Sequence, residues 1–242
     1  MRPAIEVSGL GKRFGGTAAV SDLSFTVRYG RVTGFLGRNG AGKTTTLRML
    51  LGLIRPDSGA ATIAGRPYAE LPDPLGTVGA LLDAGAAHPG RTGRDHLRTL
   101  AAAAGVCNAR VDELLCAVGL EAAARQRVGG YSLGMRQRLG LAAMLLGDPA
   151  VLILDEPANG LDPQGIRWLR GQLRALAAEG RAVLVSSHVL AEIEQAADDV
   201  VIIDRGRSVT QAPLAELRAA HPGSSLEDIY LRLTGDREEE LA

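Results

Sequence analysis

The segment Gly37-Arg38-Asn39-Gly40-Ala41-Gly42-Lys43-Thr44 constrains this chain more than any other. It follows the pattern G-x-x-x-x-G-K-[ST] and stands between an apolar run, residues 32–36, and a helix-like run, residues 43–51. Glycines at those spacings let the backbone fold round an anion with several N–H groups pointing inward. A helix N-terminus adds its positive dipole end. The turn needs a strand to enter it and a helix to leave it, so it asks for an α/β core that binds a phosphate. Residues 37–45, Thr45 included, form the expected nucleotide-binding set. Lys43 is expected to bridge the β- and γ-phosphates, and Thr44 to hold Mg²⁺ through its hydroxyl. Composition sharpens the reading: of 27 basic residues only Lys12 and Lys43 are lysines. A chain that writes arginine almost everywhere keeps a lysine where a compact ammonium is required and a broad guanidinium does not fit.

A second segment, Val151-Leu152-Ile153-Leu154-Asp155-Glu156, is an apolar strand that delivers two carboxylates to its C-terminal end. Ligands bind at such ends in open α/β sheets. Asp155 suits Mg²⁺ through a coordinated water, and Glu156 suits polarising the water that attacks the γ-phosphate. Alone, the pair is as well explained by a strand end before Pro157; beside a phosphate loop it reads as functional. No N-K-x-D motif for guanine is present, since the two lysines are followed by Arg13-Phe14 and Thr44-Thr45. That favours ATP over GTP.

The remainder of the chain fits an α/β protein with helical additions. Its 242 residues can bury a full core, and 46% of them are hydrophobic, which excludes a disordered chain. Zero net charge and 3% aromatics give no attraction or stacking surface for nucleic acid. No run approaches 18 apolar residues, and no apolar stretch of secretory type follows Met1. Cys107 and Cys116 show no metal-like spacing and read as buried free thiols rather than a disulfide. Short β-like runs occupy residues 5–7, 23–27, 32–36 and 61–63, and Gly52 is placed to end the helix after Lys43. Residues 84–149 are rich in Ala, Leu and Arg and predict helices over 95–104, 111–118 and 132–146, the last capped by Ser132. Continuous apolar runs at 151–154, 182–185 and 200–203 predict strands buried on both faces, as in parallel sheets. Residues 213–242 read as a helical extension ending in a solvated acidic run, 236–240.

Further motifs narrow the family. Tyr131-Ser132-Leu133-Gly134-Met135, followed by Gln137-Arg138, resembles the L-S-G-G-Q signature of ABC-transporter ATP-binding subunits with its Q-R pair. Pro157-Ala158-Asn159-Gly160-Leu161-Asp162-Pro163 resembles the family's D-loop, and Ser186-Ser187-His188 its switch histidine. Phe14 stands where the family places an adenine-stacking aromatic, and Asp83 where it places the Q-loop glutamine. The motifs run in the family's order from about residue 5 to 212.

The resemblance implies a P-loop NTPase core with a mostly parallel sheet, an N-terminal antiparallel β portion and an inserted helical subdomain. It implies one ATP-binding domain over residues 1–215, with the insertion at about 84–149, and an extension over 216–242. ATP and Mg²⁺ would be bound, with Thr44, Asp83 and Asp155 as metal ligands. Lys43, Glu156 and His188 would carry hydrolysis, His188 touching the γ-phosphate. Two cassettes, most simply two copies, would pair head to tail, with Ser132, Leu133 and Gly134 of one capping ATP on the other and Asp162 in the D-loop. A separate membrane-spanning permease would hold the chain at the cytoplasmic membrane face, docking near Asp83 and the first helix of the insertion. The 81–83 stretch and the tail 225–231 look most like bacterial drug- and antibiotic-exporter cassettes. Leu133 and Met135 depart from the signature's Gly and Gln, and Asp83 is shorter than the family's glutamine. The rival reading is a non-transport member of the family acting on ribosomes or nucleic acid. Against it stand one cassette, no long coiled coil and the neutral charge. A second rival, a binding module with an inactive site, is opposed by intact Lys43, Asp155, Glu156 and His188.

Overall fold

The computed structural model describes residues 2–83 and 86–239. The chain opens with a hairpin of β1 (Ile5–Phe14) and β2 (Thr17–Val27), followed by β3 (Val32–Leu36), α1 (Lys43–Leu50) and β4 (Ser58–Ile63). Next come α2 (Pro74–Thr77), β5 (Val78–Leu81), α3 (Gly93–Ala104), α4 (Asn108–Ala117) and α5 (Leu133–Met144). The second half runs β6 (Val151–Asp155), α6 (Pro163–Ala178), β7 (Ala182–Ser187), α7 (Leu190–Ala196), β8 (Asp199–Asp204) and β9 (Arg207–Pro213). It ends in α8 (Leu214–Ala220) and α9 (Leu226–Glu239).

Two sheets result. The smaller is antiparallel with order β2-β1-β4. The larger has order β5-β6-β7-β3-β8-β9, parallel throughout except for β9. This is the α/β fold the sequence predicts. The continuous apolar runs become its central strands, and every residue of β3 and β7 is buried. Strand periodicity divides their side chains between two layers. Val32, Leu36, Leu152, Leu154, Val183 and Val185 face a layer shared with the helices between β5 and β6 and with α6. Phe35, Val151, Ile153, Leu184 and Val201 face the antiparallel sheet and α1. Phe25 and Phe35 stack between the sheets with centroids 5.1 Å apart.

Order β6-β7-β3 places the C-terminal ends of three strands side by side. The phosphate-loop motif leaves β3, the Asp155-Glu156 pair ends β6, and Ser187-His188 ends β7. One edge of the sheet therefore gathers residues more than a hundred positions apart.

Several expectations shift. The hairpin runs to Phe14 because β1 tolerates register shifts between Val7 and Arg13, where Gly9 and Gly11 break the alternation. β4 begins at Ser58 rather than 61. The edge strands β5 and β9 carry weak patterns, one being four residues long and the other largely polar. Cys107 and Cys116 are exposed, correcting their assignment to the core. The buried face of α4 is Val111, Leu114 and Leu115, and Cys107 stands at its cap. Gly52 does end α1: it adopts φ +69° and its N–H donates to the Met49 carbonyl at 3.0 Å. The extension forms two helices that bury Leu226, Ile229 and Tyr230. α9 carries the acidic run as far as Glu239; the solvation expected of the side chains 236–240 lies outside what is described. No described helix is long and apolar enough to cross a membrane.

Candidate active site

The loop after β3 closes on its own backbone. Gly42 has φ +99°, and a Cβ there would lie 2.4 Å from the Ala19 carbonyl oxygen, so only glycine fits. The Thr46 hydroxyl donates to the Gly42 carbonyl at 2.9 Å and secures the first turn of α1. Lys43 is 6% exposed. Its ammonium donates to the carbonyls of Gly37 at 2.7 Å and Arg38 at 3.4 Å. Residues 38–40 and 42–45, with Ala19 and Glu156, line an open cleft of about 530 Å³. Ala41 turns into the core, and its N–H is used within the loop, donating to the Arg38 carbonyl at 3.0 Å.

The acid pair meets the loop from the neighbouring strands. The Thr44 hydroxyl donates to Asp155 Oδ2 at 2.6 Å, and the Ser186 hydroxyl donates to Asp155 Oδ1 at 2.5 Å. Ser186 Oγ also accepts from the Glu156 N–H at 2.9 Å. Glu156 adopts φ +49°, a left-handed backbone that costs about 1–3 kcal/mol for a residue with a side chain. That turn separates its carboxylate from Asp155. Glu156 Oε1 lies 3.1 Å from Lys43 Nζ, and Oε2 lies 2.7 Å from His188 Nδ1. Oε2 also accepts from the His188 N–H at 3.3 Å. Glu192, on α7, has its carboxyl pushed up by burial; nearby His188 opposes this and Glu156 adds to it.

The other expected residues stand further out. Asp83 is exposed at the end of β5, and with Asp155, Glu156, Leu133 and Gln137 it lines an open hollow of about 960 Å³. Ser132 caps α5 by accepting from the Met135 N–H at 3.2 Å; Leu133 is 45% exposed. Gly134 faces Leu161 on the segment leading to α6. Asp162 caps α6, accepting from the Gly165 N–H at 2.7 Å. Phe14 is 50% exposed, does not line the phosphate-loop cleft, and lies under the Lys12 ammonium at 5.6 Å. Within one chain the structure thus brings together the loop, Asp155, Glu156 and His188. It leaves Ser132, Gly134, Asp162 and Phe14 outside that cluster, with Asp83 and Leu133 across the hollow that Asp155 and Glu156 also line. Sequence reasoning missed Ser186 as the residue bonding both acids; its signal is a hydroxyl inside a wholly buried strand.

A parallel sheet with this loop after an inner strand, and acids ending a nearby strand, defines a P-loop nucleotide hydrolase. The sequence matches the family described as ABC transporter over residues 20–159. It is 44% identical over 212 residues to the uncharacterized ABC transporter ATP-binding protein YhcH of Bacillus subtilis, covering 86% of this chain and 70% of that protein. It is 42% identical over 221 residues to the bacitracin transport ATP-binding protein BcrA of Bacillus licheniformis, covering 90% and 72%. A solved ATP-binding subunit of an ABC transporter superposes with a TM-score of 0.85 at 30% identity, covering 96% of this chain and 99% of that one. The chain belongs to the ABC transporter family, as an ATP-binding and ATP-hydrolysing subunit.

Proposed function

We propose that this subunit energises export of an antibiotic or similar small molecule through a separate membrane-spanning permease at the cytoplasmic membrane face. Residues 1–215 form the cassette, with residues 84–149 as its signature-bearing insertion. The relative named for bacitracin transport supports the substrate class. A hollow lined by Leu53, Tyr68, Leu82, Asp83 and Leu100 supports docking of the permease between α1, β5 and α3.

The roles follow from the geometry. Backbone N–H groups of residues 40 and 42–45 and the Lys43 ammonium hold the triphosphate. Thr44 and Asp155, whose oxygens are hydrogen-bonded at 2.6 Å, would hold Mg²⁺, Thr44 through its hydroxyl and Asp155 through a coordinated water, a donor set that suits an ion completed by water and phosphate oxygens. When bound, the ion neutralises charge on the phosphates. Glu156 accepts the proton of the attacking water, and His188 fixes the carboxylate through its side chain and its own N–H. Ser186 keeps the two acids apart by binding Asp155 and the Glu156 backbone. Phe14 offers a face to the adenine. Ser132, Leu133 and Gly134 cap the ATP of a second cassette with the N-terminus of α5. The observation carrying the reading is the Glu156 carboxylate held between Lys43 and His188 at the rim of the loop.

Affinity capture of the chain from detergent-extracted native membranes tests the transport role. A co-purifying protein with about six spanning helices, each roughly 20 residues long, and faster ATP turnover in its presence are expected. Recovery only with ribosomes or nucleic acid contradicts it.

A further inference from the structure

The C-terminal extension reaches the phosphate loop. The Arg38 N–H donates to the Tyr230 hydroxyl at 3.2 Å, across 192 residues of sequence. Tyr230 is 5% exposed, and the helix that carries it is tied down at its start. Leu226 and Ile229 are buried, and the Leu226 N–H donates to Glu194 on α7 at 3.3 Å. Arg218 of α8 reaches the same Glu194 carboxylate at 3.1 Å. Ser225 and Asp228 cap the first turn of α9 reciprocally. The phenol is therefore a fixed acceptor.

The peptide it binds is the one that matters to Lys43. The Arg38 N–H and the Gly37 carbonyl belong to one planar peptide unit and point in opposite directions. The N–H meets Tyr230 on one side, and the carbonyl meets the Lys43 ammonium at 2.7 Å on the other. Holding the first group orients the second. The Arg38 carbonyl, one unit on, accepts the Ala41 N–H at 3.0 Å, so the same residue anchors the turn.

We propose that Tyr230 is a positioning residue for ATP binding: from the C-terminal helix it orients the 37–38 peptide that aims the Lys43 ammonium into the phosphate loop. This rests on the assignment of the loop and Lys43 to the triphosphate. The experiment compares Tyr230→Phe, which keeps the ring and removes the hydroxyl, with Lys43→Ala and with Ile229→Val, which loosens α9 without touching the hydrogen bond. Titration with ATP gives the dissociation constant, steady-state turnover gives KM and kcat, and thermal melting monitors the fold. Tyr230→Phe is expected to raise the dissociation constant and KM about three- to tenfold, the worth of one net hydrogen bond, with kcat within about twofold. Ile229→Val is expected to lower the melting temperature and leave KM unchanged. Unchanged ATP affinity in Tyr230→Phe while Lys43→Ala loses it overturns the role of Tyr230 and leaves the site reading standing. Unchanged affinity in both overturns the site reading itself. An equal rise in KM for Ile229→Val also overturns the proposal, because helix packing then accounts for the effect.

Discussion

Lys43 Nζ lies 3.1 Å from Glu156 Oε1, and the other oxygen of that carboxylate lies 2.7 Å from His188 Nδ1. A single side chain thus joins the phosphate loop, the end of β6 and the segment after β7. The contact also sets a competition. In the proposed mechanism, a γ-phosphate that takes the ammonium would displace the carboxylate from it and leave the released oxygen to a water, so one ion pair would link binding to activation of the nucleophile.

Glu156→Gln keeps the shape of that side chain and removes its basicity. Turnover is expected to fall by about 10²-fold or more, the usual scale for losing a general base. ATP affinity is expected to hold or improve, because Lys43 loses a competing charge. Single-turnover measurements with ATP check both; normal hydrolysis removes Glu156 from the mechanism.

Lys43→Ala deletes a buried ammonium held by the Gly37 carbonyl. At least a tenfold loss of ATP affinity is expected by calorimetric titration. Lys43→Arg is expected not to restore it, since the site holds a compact ammonium against two backbone carbonyls and a carboxylate. Full affinity in the arginine variant contradicts this account of the loop.

Gly134→Ala separates folding from pairing. A Cβ at this position meets Leu161 Cδ2 at 3.7 Å, an ordinary contact. Alanine inside a helix is worth about 0.5–1 kcal/mol over glycine. The variant is expected to melt no lower than the parent. Its turnover is expected to fall severalfold, because in the proposed pairing the added methyl crowds the end of α5 that would cap the partner's phosphates. Unaltered turnover argues that this end never meets nucleotide.

Glu192 supplies a pH dependence. Burial raises its carboxyl above the ordinary value, so the folded chain keeps that proton to higher pH than the unfolded chain does. The resulting stabilisation is complete below the unfolded pKa and is lost as pH rises through the raised one. Glu192→Gln removes the dependence. Its melting temperature is expected to gain on the parent as pH rises from the ordinary carboxyl range through the raised value, and not below that range. A difference that does not change with pH contradicts the assignment.

Much of the fold was legible because local pattern and global role coincide. The runs at 32–36, 151–154, 182–185 and 200–203 are apolar on both faces and became inner strands of the larger sheet. The motif at 37–44 also announced its strand and helix. Legibility failed where the determining contact is distant. Ser186 reads only as the start of the switch-histidine segment; its bonds to Asp155 and the Glu156 N–H depend on β6 arriving beside it. Tyr230 reads only as part of the 225–231 tail, because its partner lies 192 residues away. Cys107 and Cys116 sit among alanines, a setting that reads as buried; helix phase turns Cys116 outward, and Cys107 stands at the exposed cap of α4. In β1, glycines hid a strand that continues through its bulges.

The central claim is that ATP joins two cassettes and its hydrolysis parts them. The most direct measurement is the solution mass of Glu156→Gln by light scattering, with ATP and Mg²⁺ and then without them. The account predicts twice the mass of one chain with ATP and a single chain without it. A single-chain mass from protein shown by titration to be saturated with ATP would contradict it.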